Sequence, residues 1–162
     1  MNIIENTLSG DFSSGELRIT RTFAAPRSLV FKAWTDPAQV AQWWGPAGFT
    51  NPVCEVDARP GGAMRIHMRG PDGAVYPMTA VFSEIVEPER IVFTTAAHVD
   101  ESGEALFEVL NTVTFAEQGG KTTLTVVARP LDPPADAAPY LSGMEQGWSQ
   151  SIDRLAEFIT AI

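Results

Sequence analysis

The chain has 162 residues, 44% of them hydrophobic, with 11 basic against 20 acidic side chains and a formal charge of −9. A domain of this length buries about two-thirds of the surface of its unfolded chain, so a core forms without disulfides or a structural metal, and the lone Cys54 has no partner within the chain. The negative charge repels phosphate backbones and anionic headgroups, and no run reaches the roughly 18 apolar residues of a membrane helix, so nucleic acid and membrane are excluded as expected partners.

Met1 to Gly15 shows no sustained period and reads as a flexible arm, leaving residues 16–162 as a single domain. It has neither the basic start nor the apolar run of a secretory signal, which together with the lone thiol predicts a cytoplasmic protein. Leu17, Ile19 and Phe23 share one parity, interrupted by Arg21, and predict a half-buried strand from Leu17 to Phe23. Pro26 suits the first turn of a helix carrying Leu29, Val30, Ala33 and Trp34, and Asp36-Pro37 stops it. A second short helix runs from Pro37 to Trp43, followed by the irregular Trp44-Gly45-Pro46-Ala47-Gly48. From there the period is two, with strands expected at Asn51–Ala58, Ala63–Arg69, Val75–Val86, Ile91–His98, Ala105–Ala116 and Lys121–Arg129, separated by turns such as Pro60-Gly61-Gly62 and Gly119-Gly120. Pro130 to Pro139 is a stiff connection. The last element, Tyr140–Ile162, places Leu141, Met144, Trp148, Ile152, Leu155 and Ile159 on one side of an amphipathic helix.

Seven antiparallel strands twist and curl, and the long helix must bury its apolar stripe somewhere, so the expected architecture is α+β, a curved sheet gripping the C-terminal helix. A straight helix and a curved sheet leave space between them, expected toward the end that the two short helices cap.

The element order, together with Ala25-Pro26-Arg27-Ser28-Leu29-Val30-Phe31-Lys32-Ala33-Trp34-Thr35-Asp36-Pro37, Trp43-Trp44-Gly45-Pro46, Asp57-Ala58-Arg59-Pro60-Gly61-Gly62 and Pro88-Glu89-Arg90-Ile91-Val92-Phe93-Thr94, resembles the START-like (SRPBCC) superfamily. Gly147-Trp148 followed by Asp153-Arg154-Leu155 adds to the likeness, which extends over residues 16–162. Within the superfamily the chain is similar to the branch named after the activator of the heat shock protein 90 ATPase, which includes calicheamicin-resistance-like proteins. The resemblance implies the helix-grip (birch-pollen-allergen-like) fold with a ligand-sized cavity. The branch name adds stress response and a chaperone ATPase as a possible partner. Fold alone does not settle function.

Ten residues are candidates for the lining of such a cavity. Trp43 and Trp44 are neighbours pointing about 100° apart on a helix end, so one can reach the cavity mouth while the other caps the barrel; Trp34 reads first as core. Met64, Ile66 and Met68 form one face of their strand and give an adaptable apolar wall, with Arg65, His67 and Arg69 on the other. Phe107 and Asn111 share a parity with Val109, Val113 and Phe115; Asn111 either orients a ligand or serves a structural hydrogen bond. Met144 and Trp148 come from the helix, where Gly143 and Gly147 suggest close helix-to-sheet approach or, as the alternative, an opening for the cavity. Cys54 reads as a small buried hydrophobe, and His67 and His98 as surface groups.

Three functions compete. The first is non-enzymatic binding of a small hydrophobic or aromatic molecule. The second is a co-chaperone-like interaction with a heat shock protein 90 type ATPase. The third is an enzyme using His67, Glu108 or Asn111, which ranks last because no titratable pair stands at a recognisable spacing. No cofactor, metal site or catalytic residue is expected, since the histidines are far apart and Cys54 lies in no ligand motif. A homodimer through a sheet edge or the Trp43 region is left open.

Overall fold

A computed structural model describes residues 6–9, 16–99, 105–133, 135 and 138–162. Its elements are β1 (Asn6–Ser9), β2 (Leu17–Phe23), α1 (Arg27–Thr35), α2 (Pro37–Trp43), β3 (Thr50–Val56), β4 (Ala63–Arg69), β5 (Val75–Val86), β6 (Arg90–Val99), β7 (Ala105–Gln118), β8 (Lys121–Leu131) and α3 (Ala138–Ala161). The expected seven strands form one curved antiparallel sheet. Its order is β1-β2-β8-β7-β6-β5-β4-β3, so β3 to β8 is a meander and β2 closes it by pairing with β8.

Three expectations need correction. Within the stretch expected to be a flexible arm, Asn6–Ser9 pair with Arg18–Arg21 and add an eighth strand at the sheet edge, although residues 1–5 and 10–15 lie outside the described residues. Pro130, expected in the connection, lies opposite Val109 within β8; its residue pairs with β7 without interrupting the ladder, which continues to Leu131 opposite Glu108. The helix also starts two residues earlier than expected, at Ala138. The turn expected at Glu101-Ser102-Gly103 and the side chain of His98 lie outside the described residues.

Local chemistry sets the short helices. Asp36 accepts a hydrogen bond at Oδ1 from the Ala38 N–H at 3.0 Å and Pro37 occupies the first turn of α2, a favourable N-terminus. No side chain of its own caps α1; instead the Glu117 carboxylate at the end of β7 accepts from Arg27 N–H at 2.7 Å, placing a negative charge at the helix start. The Thr122 hydroxyl donates to Ala25 O at 2.7 Å and fixes the strand-to-helix bend.

The concave face is decided by register. Leu17, Ile19 and Phe23 of β2, Leu124 and Val126 of β8, Val113 and Phe115 of β7, Ile91 and Phe93 of β6, and Met64 and Ile66 of β4 are all essentially buried. Ile152, Leu155, Ala156 and Ile159 of α3 close this layer, joined by Val30, Phe31 and Trp34 of α1 and Val40 and Trp43 of α2. Arg21, the residue that breaks the apolar parity of β2, is 3% exposed and donates from Nη2 to Asp153 Oδ1 of α3 at 2.7 Å, which ties the first full strand to the helix. At the Asp57-to-Gly62 turn, Gly61 N–H donates to Phe82 O at 2.7 Å and Phe82 N–H to Gly62 O at 2.9 Å. A Cβ at Gly62 would lie 2.0 Å from Asp57 O, so only glycine fits there.

Candidate functional site

The C-terminal half of α3 is seated on filled core, and the N-terminal half is not. Between it and the sheet lies a cavity of about 470 Å³, open to solvent on one side. Gly143, Met144, Gly147, Trp148 and Ser151 of α3 form one wall. Met68 of β4, Met78 of β5, Thr95 and Ala96 of β6 and Phe107, Val109 and Asn111 of β7 form the other, and the loop Trp44-Gly45-Pro46 closes one end.

Six of the ten sequence candidates therefore meet at the cavity: Trp44, Met68, Phe107, Asn111, Met144 and Trp148. Trp34, Trp43, Met64 and Ile66 do not line it. They are buried at 2%, 0%, 1% and 0% exposure in the core beneath the short helices, where their volume is needed to fill the sheet's other end. The cavity consequently lies beyond the aromatic packing of α1 and α2 rather than directly under them. Trp43, being buried, is also unavailable for the dimer contact considered from the sequence; the free strand edges are those of β1 and β3.

A tryptophan cluster separates the filled half from the open half. Trp34 stacks on Trp148 with ring centroids 5.9 Å apart and planes inclined by 25°, and Trp44 meets Trp148 edge-to-face at 5.6 Å. Trp43 Nε1 donates to Ala33 O at 2.9 Å, whereas Trp34 Nε1 is buried without a partner. Trp44 and Trp148 thus show one side to the core and one to the cavity.

Gly143 and Gly147 belong to the opening. A Cβ built at either position meets nothing within 4 Å, so the close approach preferred from the sequence is not their role; they leave the helix wall bare over the cavity. Met78, Thr95, Ala96, Val109 and Ser151 line the cavity without having been singled out. For Met78 the signal was available, since it pairs with Ile66 and so takes the parity of the Met64, Ile66, Met68 face. For Ser151 there was none, because a serine beside an apolar helical stripe is ordinary.

The loop at the cavity's end is held by α3. Arg154 Nη1 donates to Trp44 O at 2.9 Å, Gly45 O at 3.0 Å and Pro46 O at 3.0 Å. Burial lowers the Arg154 pKa from its ordinary value, but the group remains charged. Ser151 Oγ accepts from Gly45 N–H at 3.1 Å, Gln150 Oε1 accepts from Ala47 N–H at 3.1 Å, and Asn51 Nδ2 donates to Ala41 O and Trp44 O. Gly45 takes φ +96°, which lets the chain turn back on itself here.

Asn111 is 1% exposed, and its Nδ2 donates to Phe93 O at 3.3 Å, Thr95 Oγ1 at 3.2 Å and Val109 O at 3.2 Å. The structural bond and the place in the cavity, alternatives in the sequence, coexist. Among the described residues lining the cavity none is ionisable. His67 pairs with Val53 and Pro77 on the opposite sheet face from Met68, and Glu108 is exposed. Burial, with the Glu55 charge adding to it, pushes the Cys54 thiol up to about 11, so it is an unactivated group at neutral pH. No cluster of metal-binding side chains occurs among the described residues.

A model of the family described as activator of Hsp90 ATPase homolog 1-like protein matches residues 24–160. Among solved structures, the chain is similar to a protein from Chromobacterium violaceum, at 31% identity over 90% of this chain and 97% of that one with a TM-score of 0.77. It is also similar to the AHSA1 protein from Silicibacter pomeroyi, at 27% identity over 90% and 98% with a TM-score of 0.76. A solution structure from Arthrobacter aurescens, at 23% identity over 96% and 92% with a TM-score of 0.85, shares the fold. No curated protein matches the chain.

Proposed function

This chain belongs to the activator of Hsp90 ATPase homolog 1-like family, and from that premise we propose that it binds one small, uncharged, apolar or aromatic molecule in the cavity between the sheet and α3, without performing chemistry on it. The observation that carries this is the lining: a cavity of about 470 Å³ walled by Trp44, Trp148, Phe107 and three methionines, with Thr95, Asn111 and Ser151 as the polar side chains among the described residues. Pockets for drug-sized ligands run from about 300 to 1,000 Å³ and have this apolar character with few polar anchors. Methionines adapt to irregular guests, and two tryptophan faces suit planar ones. Acid–base catalysis draws no support from the described lining, which carries no ionisable side chain, because proton transfer needs a group within hydrogen-bond reach of the substrate.

The test is direct. Native mass spectrometry and solvent extraction of the purified protein look for a co-purified guest, and a thermal-shift screen of neutral aromatic compounds looks for stabilisation, with Trp44 and Trp148 fluorescence as the reporter. Binding is expected to raise the melting temperature and change tryptophan emission. No co-purified guest and no stabilising compound across the screen overturn the proposal. The family's description favours a second reading, contact of the outer surface with a chaperone ATPase of the Hsp90 type; its readout is ATP turnover, and an unchanged rate at saturating protein excludes it.

A further inference from the structure

The orientation of one amide determines what polar group the guest must carry. Asn111 stands in the middle of β7, opposite Phe93 on one side and Ala128 on the other, and lines the cavity. Two of the three partners of its Nδ2 are the carbonyl oxygens of Phe93 and Val109, which only accept. Turning the amide over would set its oxygen against both of them, so the NH2 must lie where it does and Oδ1 must occupy the other arm. No donor among the described residues reaches Oδ1. Among the described residues the sealed side-chain atoms without a partner are Trp34 Nε1, Gln39 Oε1 and Asn51 Oδ1; Asn111 Oδ1 is not one of them, and its residue lines the cavity.

The neighbouring hydroxyls do not change this. Thr95 Oγ1 accepts from Asn111, and Ser151 Oγ accepts from Gly45 N–H, so each retains its own hydrogen for a guest. No cation lines the cavity among the described residues, and the nearby Arg154 Nη1 is already bonded to the carbonyls of Trp44, Gly45 and Pro46. A carboxylate or phosphate guest would lose its hydration without gaining a counter-charge.

Resting on the cavity-binding reading above, we propose that this site selects uncharged aromatic molecules that bear a hydrogen-bond donor, a phenol-type O–H or a ring N–H, and that Asn111 Oδ1 accepts it. A donor-free guest of the same shape covers that oxygen and sets no donor against it. Leaving a buried acceptor unpaired corresponds to a loss of about 5- to 140-fold in affinity.

Three matched probes test the proposal by calorimetry on the full chain at pH 7: 2-naphthol, 2-methoxynaphthalene and 2-naphthoate. The expected order is naphthol tightest, the methyl ether about tenfold weaker, and the ionised acid weakest. In Asn111→Leu the ether is expected to retain its affinity while the naphthol advantage disappears. Should that variant fail to fold, the unaltered labelled chain decides: the Asn111 side-chain amide resonances move far more with naphthol than with the ether. Equal affinity for naphthol and ether, or an advantage that persists in Asn111→Leu, overturns the donor requirement and leaves the cavity reading standing. No binding by any of the three overturns this proposal, and the broader screen for neutral compounds then decides whether the cavity reading falls with it.

Discussion

Replacing Gly147 is the sharpest probe of where the helix meets the sheet. Glycine inside a helix costs about 1 kcal/mol relative to alanine, and the usual reason to tolerate it is a neighbour too close for a Cβ. Here a Cβ would meet nothing within 4 Å. Gly147→Ala therefore incurs no steric penalty and recovers the helix term, a stabilisation of about 1 kcal/mol, which for a domain of this size is a rise of about 2–4 °C in melting temperature. Gly147→Leu recovers a similar term and projects a side chain into the space between Trp148, Met144 and the sheet, where the proposed guest would lie. Thermal unfolding followed by circular dichroism, paired with titration of a neutral aromatic ligand, reads both effects. The alanine variant is expected to melt higher and bind, and the leucine variant to melt no lower than the parent and not bind. A drop of several degrees for Gly147→Ala would show that the helix is pressed against the sheet at this point, and unchanged affinity in Gly147→Leu would place the guest elsewhere.

Other perturbations have equally definite signs. Gly62→Ala brings a Cβ to 2.0 Å from Asp57 O and 3.0 Å from Arg59 O, so the backbone must move and break the paired bonds to Phe82; a loss of about 3 kcal/mol is expected in denaturant unfolding. Arg154→Ala removes three charge-assisted bonds from the Trp44-to-Pro46 loop and is expected to cost about 2 kcal/mol, with faster amide exchange in that loop; Arg154→Lys should restore less than half, because an ammonium cannot reproduce the planar fork. Cys54, pushed up to about 11, should react only slowly with a disulfide reagent at pH 8 and accelerate as pH passes 10. Its raised value means that the folded state holds the thiol proton more tightly than the unfolded chain does. That contribution to stability is complete below the ordinary thiol pKa of about 8.5 and is lost as pH rises through about 11, which a comparison with Cys54→Ala above pH 9 will resolve.

Periodicity and turn residues were enough to place every element from β2 to α3, while the edge strand β1, with no sustained period, went unread. Pro26 and Asp36-Pro37 bracket α1, Ala63–Arg69 and Val75–Val86 have in the structure the bounds their alternation implies, and the Leu155-to-Ile159 stripe predicts a buried α3, because each signal is local and depends only on dihedral preference and a period of 2 or 3.6. Parity also put Met68 with Met64 and Ile66 on one face of its strand, and Phe107 with Asn111 on one face of theirs; that both faces meet the cavity is seen only in the structure. Parity could not say how far along those faces the core is filled. Met64, Ile66 and Met68 are equivalent by alternation, yet the first two are sealed within the core and only Met68 borders open space. Trp43 and Trp44 divide in the same way, one sealed among α1 and α2 and one shared with the cavity. Whether Gly147 marks contact or vacancy, and which arm of the Asn111 amide is left without a partner, depends on atoms contributed by strands and helices distant in the chain. Those atoms come together only when the sheet curls around α3, so these features belong to the tertiary structure alone.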